Sequence, residues 1–151
     1  MMKKNGFIAC LVGGMLSLVG CASKKVMPAG DLVGVSYTQS GTMAGYEYEG
    51  RVEQDSTGVF VLRAMKENYG PLFEKRVDAE VMRKFRQIIE EEQMYAYKES
   101  YEPKFEVLDG TMWSFHAVFS DGTTISSGGA NASPDGNGLT RIVNYMTELI
   151  K

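Results

Sequence analysis

The chain has 151 residues, 16 basic and 19 acidic, a net charge of −3, one histidine and two cysteines. That length suits one domain with a sizeable core, and the acidic balance, with no run of five basic residues, excludes a nucleic-acid partner held through the overall field. With one histidine and no cysteine after residue 21, neither Cys–His catalysis nor a zinc site of Cys and His ligands is available to the rest of the chain.

The first acid is Asp31, and the chain opens on Met1-Met2-Lys3-Lys4, a short positive segment. Phe7 to Val19 follows as thirteen uncharged residues interrupted by glycine. A positive start, a short apolar run and small residues before a cut form an export-signal pattern, and the run falls short of the roughly 20 residues a spanning helix needs. Leu18-Val19-Gly20-Cys21 resembles the lipobox of bacterial lipoproteins. The resemblance implies cleavage before Cys21 and acylation of its thiol, because a thiolate is nucleophilic enough to take lipid as a stable thioether. Two or three acyl chains then make membrane attachment effectively permanent. Cys10 leaves with the signal and Cys21 carries lipid, so the mature chain is expected without disulfide or free thiol.

Residues 1–20 are therefore expected as a signal peptide, 21–30 as the acylated cysteine with a short tether, and 31–151 as a single globular domain. Lys3 and Lys4 leave with the signal, so 14 basic residues face 19 acidic ones, a net charge of −5. The tether, Ala-Ser-Lys-Lys-Val-Met-Pro-Ala-Gly, reaches at most about 30 Å when extended. Lysines rather than acids after Cys21 point to an outer-membrane protein facing the periplasm.

In the domain, Leu32 to Gln39 reads as a first strand. Tyr46, Tyr48 and Val52 then alternate with Glu47, Glu49, Arg51 and Glu53, a strand with one wet side. Asp55-Ser56-Thr57-Gly58 is a hairpin turn, and Val59 to Met65 returns. Asn68-Tyr69-Gly70-Pro71 breaks the chain. Asp78 has the place of an N-cap, with Val81, Phe85, Ile88 and Ile89 on one face of a helix running to about Gln93 or Tyr95. Glu90-Glu91-Glu92 opposes the macrodipole at its end and reads as a solvated face.

Residues 96–103 are irregular and rich in tyrosine. Phe105 to Leu108, Met112 to Phe119 and Thr123 to Ser127 then read as strands joined by the turns Asp109-Gly110 and Asp121-Gly122. Trp113, Phe115, Ala117 and Phe119 form the core side of the middle strand. After a loop from Ser127 to Gly138, the residues Leu139, Ile142, Val143, Met146, Leu149 and Ile150 share one face of a closing helix. The expected fold is α+β: an antiparallel sheet of about five to six strands with two helices packed on one face, in the order strands, helix, strands, helix. The Trp113-x-Phe115 strand, the Asp121-Gly122 turn and the Gly70-Pro71 loop together resemble small envelope lipoproteins of unknown function. That resemblance implies the fold alone.

For chemistry, His116 is mid-strand and reads as a half-buried sheet-face histidine, with no Gly-x-Ser-x-Gly elbow in the chain. Glu47, Glu49, Glu53, Asp109 and Asp121 fall on wet faces or in turns, and no two are marked as partners. Asn131, Ser133, Asp135, Gly136 and Asn137 match the first positions of a calcium loop, but position twelve is Ile142 where a bidentate Glu is needed. The same loop lacks the lysine and ordered glycines of a phosphate cradle. No catalytic residue, metal or cofactor is therefore expected. Asp55-Ser56-Thr57 resembles a tripeptide that some Gram-negative lineages O-glycosylate, which makes Ser56 a candidate acceptor.

Tyr95, Tyr97 and Tyr101 stand in or beside irregular chain, where tyrosine serves partner contact or seals a small core. With Asn131, Asp135 and Asn137 they are the expected partner surface. The functional expectation is a lipid-anchored, non-enzymatic binding or accessory module that contacts another envelope protein or a glycan. The alternatives are a small carboxylate-dependent hydrolase of envelope polymers and a periplasmic inhibitor-type domain.

Overall fold

A computed structural model describes residues 25–41, 47–66, 70–105, 107 and 110–151. Cys21, Tyr46, Tyr69 and Asp109 lie outside the described residues, as do residues 1–20, over which a signal peptide is expected. The described chain is α+β, with seven strands in one sheet and two α-helices. The strands are β1 Leu32–Ser40, β2 Glu47–Gln54, β3 Phe60–Lys66, β4 Leu72–Val77, β5 Ser100–Tyr101, β6 Met112–Phe119 and β7 Thr124–Ala130. Helix α1 is Ala79–Glu91 and α2 is Gly138–Leu149, and a single 3-10 turn covers Met94–Ala96. The sheet order is β4-β3-β2-β1-β6-β7-β5.

The sheet exceeds the expected five to six strands, and it is mixed. Every neighbouring pair is antiparallel except β5 with β7, where Ser100 and Tyr101 run parallel to Gly128 and Gly129. Two further expectations are corrected. Of the strand expected over Phe105 to Leu108, Glu106 and Leu108 lie outside the described residues with Asp109; Phe105 and Val107 are in no strand, and β6 is already paired with β1 on one side and β7 on the other. Phe105 and Val107 are accordingly exposed. The third hairpin strand is longer than expected, since β7 runs through Gly128 and Gly129 to Ala130.

Local chemistry sets the turns. Asp55 Oδ1 accepts hydrogen bonds from Thr57 N (2.8 Å), Thr57 Oγ1 (2.6 Å) and Val59 N (3.1 Å), folding the β2–β3 connection onto itself. Asp121 Oδ1 does the same for Thr123 N at 2.9 Å in the β6–β7 connection. Gly58 (φ 82°) and Gly122 (φ 83°) supply the left-handed backbone that closes each turn. Ser56 is exposed on the first of them. Asp78 caps α1 as expected, its carboxylate accepting from Glu80 N and Val81 N.

One face of the sheet is the core. Val35 and Tyr37 of β1, Tyr48 and Val52 of β2, Leu62 and Ala64 of β3, and Trp113, Phe115, Ala117 and Phe119 of β6 join the buried residues of both helices in one cluster. Phe85 of α1 meets Tyr145 of α2 edge to face at 4.8 Å. Helix α2 begins beside Met94 and Tyr97 and ends at β4, where Lys75 Nζ donates to the Leu149 carbonyl. The cation there meets carbonyls that a helix end leaves without partners. The opposite face carries Ser36, Arg51, Arg63, Glu74, His116 and Ser126 in one row across six strands.

Residues 25–31 are held against the rest of the described chain. Lys25 Nζ donates to the Tyr97 carbonyl at 2.6 Å, and Arg86 donates to the Gly30 and Pro28 carbonyls at 2.7 and 3.1 Å. Gly30 N and Asp31 N donate to Asp121 Oδ2 and Ser120 Oγ, and Pro28 is buried. Residues 25–30 thus belong to the domain rather than to a free linker.

Candidate functional site

The sequence-expected surface divides on inspection of its members. Tyr97 is only 8% exposed and sits in the core cluster, while Tyr95 and Tyr101 are half-buried against it. Tyr101 packs edge to face on Tyr97 at 6.4 Å and tilts on Trp113 at 5.9 Å, and its hydroxyl accepts from Lys98 N. These are core-sealing roles, so the tyrosines do not form an exposed recognition patch. The Tyr97 phenol is pushed up to about 12, first by burial and then by Glu92 and Tyr101. An unfolded tyrosine ionises near 10, so between pH 10 and about 12 the unfolded chain loses a proton that the folded one keeps. Stability present below pH 10 is expected to fall across that window, and an alkaline titration should show Tyr97 among the last of the eight tyrosines to ionise, only as the fold opens.

What Tyr97 does reach is a groove of about 410 Å³ between the ends of β1 and β6, the 131–137 loop and the first turns of α2. Its floor is Tyr37, Tyr97 and Trp113 with Leu139 and Val143. Its rim is Gln39, Thr111, Asn131, Ser133, Thr140 and Asn144. No charged side chain lines it among the described residues. The floor is fixed from beneath: Trp113 Nε1 donates to the Ala132 carbonyl at 2.7 Å, tying the loop to β6. A Cβ on Gly129 would come within 2.4 Å of that carbonyl and 2.7 Å of the indole nitrogen, so the close approach requires glycine.

Two rim amides are held by their oxygens. Asn131 Oδ1 accepts from Thr111 N at 2.8 Å, and Gln39 Oε1 accepts from the Tyr37 hydroxyl at 3.0 Å. Each side chain keeps its NH2 group as the donor it still holds. Of the expected surface, the groove therefore includes Tyr97 and Asn131, but Tyr95, Tyr101, Asp135 and Asn137 do not line it. Tyr37, Gln39, Trp113, Thr140 and Asn144 are additions that sequence reasoning placed in strands or a helix and left there.

The glutamate run is not merely solvated. Arg141 of α2 donates to Glu92 Oε1 at 2.7 Å and to Glu91 Oε2 at 2.6 Å, joining the end of α1 to the start of α2. The Arg141 guanidinium, with help from Gln87, holds the Glu91 carboxyl below its usual range. Glu92 Oε2 also accepts from Asn137 N at 3.3 Å and lies 3.6 Å from a Cβ placed on Gly136. A carboxylate of the chain itself thus occupies the N-terminal end of α2, where an anion is favoured.

The remaining candidates are placed plainly. His116 is exposed rather than half-buried, and its Nδ1 meets the Ser126 hydroxyl at 2.9 Å on the uncovered sheet face. Glu53 pairs with Arg51 at 3.7 Å and Arg63 at 2.9 Å. Asp121 is spent on its turn and on Gly30 N, and the Thr123 backbone and side-chain hydrogen bonds lead in holding its carboxyl below the usual range. Among the described residues no three His, Cys, Asp or Glu side chains converge. No protein-family model matches the chain, and no curated protein matches it.

Proposed function

We propose that this chain is a bacterial lipoprotein, acylated on Cys21 and held on the periplasmic side of the outer membrane, whose domain is a non-enzymatic binding module. The lipobox Leu18-Val19-Gly20-Cys21 supports the anchor. The observation that carries the binding reading is the groove over Trp113 and Tyr97, concave and apolar at its floor with convergent polar groups at its rim. Its partner is another envelope component, protein or glycan, reached while the lipid holds the domain in place.

The docked segment sharpens the geometry of that attachment. With the chain fixed to the domain at Lys25, four residue steps separate it from Cys21, at most about 14 Å of extended chain. The domain then works close to the bilayer surface, and Ser56, if glycosylated, carries its sugar on the exposed β2–β3 turn. The test of the anchor is Cys21→Ser in cells fed labelled fatty acid. Serine cannot form the thioether, so the variant is expected to carry no acyl label and to accumulate as an uncleaved precursor or a soluble species. Continued labelling and flotation with membranes would sink the lipoprotein reading.

A further inference from the structure

We infer that the groove binds a neutral saccharide, one or two sugar rings of a glycan without carboxylate or phosphate. The inference rests on the binding-module reading and names the ligand class of its site.

Three features of the groove lead there. The first is that no charged side chain among the described residues lines it, in a chain where 23% of residues are charged. A carboxylate or phosphate ligand entering it would be desolvated with no cation to meet it. The second is Glu92, whose carboxylate already takes the N-terminal end of α2, the one element bordering the groove that would otherwise favour an anion. With Arg141 also paired to that carboxylate, the end of α2 keeps no open site for an anionic ligand. The third is the type of polar group. Asn131 and Gln39 have their oxygens committed and hold NH2 donors, while Ser133, Thr140 and Asn144 offer groups that both donate and accept. Sugar hydroxyls also donate and accept, so every such group finds a complement in them. A peptide would satisfy the amides but would bring side chains of either charge along with its backbone.

The floor fits the same ligand. Tyr37, Tyr97 and Trp113 are mostly buried but line the groove with aromatic edges, apolar surface of the kind that meets the C–H face of a pyranose. Because the donors are oriented by internal hydrogen bonds, little ordering cost remains for the ligand to meet. A volume of about 410 Å³ lies in the range of small-ligand clefts.

Trp113 is the only tryptophan, so its emission reports directly on the groove. The experiment titrates the full acylated protein in detergent with maltose, cellobiose and N,N′-diacetylchitobiose, and separately with glucuronate and glucose 6-phosphate. The expected result is a saturable change in Trp113 emission with at least one neutral disaccharide below about 10 mM. The charged sugars should bind about tenfold more weakly or less. The variant Thr140→Ala with Asn144→Ala, exposed on α2 and favourable for the helix, should lose about tenfold in affinity with no fall in its melting temperature. No response to any neutral disaccharide overturns the inference, as does equal binding of glucuronate or undiminished binding by the variant. Envelope capture with the same two proteins separates the two levels. If sugars do nothing but the variant loses a captured protein, the saccharide falls and the module stands, and if neither assay responds, both fall.

Discussion

Replacing Tyr97 with serine is expected to destabilise the domain by about 3–5 kcal/mol, the range for deleting a buried aromatic ring. The ring is 8% exposed, stacks edge to face on Tyr101, and its hydroxyl lies under Gly138, where an added Cβ would come within 2.4 Å. The melting temperature should fall by roughly 10 °C or more. Tyr101→Ser should cost much less, near the ordinary 1 kcal/mol of a point substitution, since that ring is only half-buried. Thermal unfolding of the two single variants distinguishes them. Equal, small shifts would mean that Tyr97 is a surface residue after all and that the groove floor is not part of the core.

The contrast shows where sequence reading succeeds. Helices α1 and α2 and strand β6 announce themselves because one face of each is buried, so the period of the element is written in its apolar residues. The two aspartate turns are equally legible, because a carboxylate folding back on nearby N–H groups is a local event. Strand β4 is not legible. All but the last of its six residues are exposed, and Glu74-Lys75-Arg76 shows no alternation. Its existence depends on backbone pairing with β3, and its charges suit an edge strand that must resist pairing with another chain. The two-residue β5 is set by its parallel partner alone.

The groove is hidden for a related reason. Its walls come from β1, β6, the β7–α2 loop and α2, brought together only by the fold. Trp113 reads as core from its alternation, and it is core, yet the same side chain also lines the groove. Glu90-Glu91-Glu92 reads as a misplaced run of charge at a helix end. Its compensation by Arg141 and by the start of α2 lies 45 to 50 residues away in sequence. Tyrosines in irregular chain read as a surface because irregular chain usually lies there. Here the 3-10 turn tucks Tyr97 under α2.

Gly129→Val sets two physical effects against each other, and the structure says which one wins. Valine favours strands and glycine weakens them, so propensity alone predicts a gain of up to about 1 kcal/mol in β7. Gly129 does not have a positive φ, so no backbone strain opposes the change. The opposition is steric. An added Cβ would meet the Ala132 carbonyl at 2.4 Å and the Trp113 indole at 2.7 Å, the two groups whose hydrogen bond ties the loop to β6. One of them must move, and overpacking of this kind costs about 1–3 kcal/mol before the lost hydrogen bond is counted. Net destabilisation is therefore expected, with Trp113 emission shifted towards that of a solvated indole as the loop lifts. Gly34→Ala serves as the control on the same sheet, because a Cβ there meets Val118 at an ordinary 3.6 Å. If Gly129→Val matched the control in chemical denaturation and kept the native emission, the loop would not be clamped by Trp113. The preformed rim on which saccharide binding depends would then be lost as an argument.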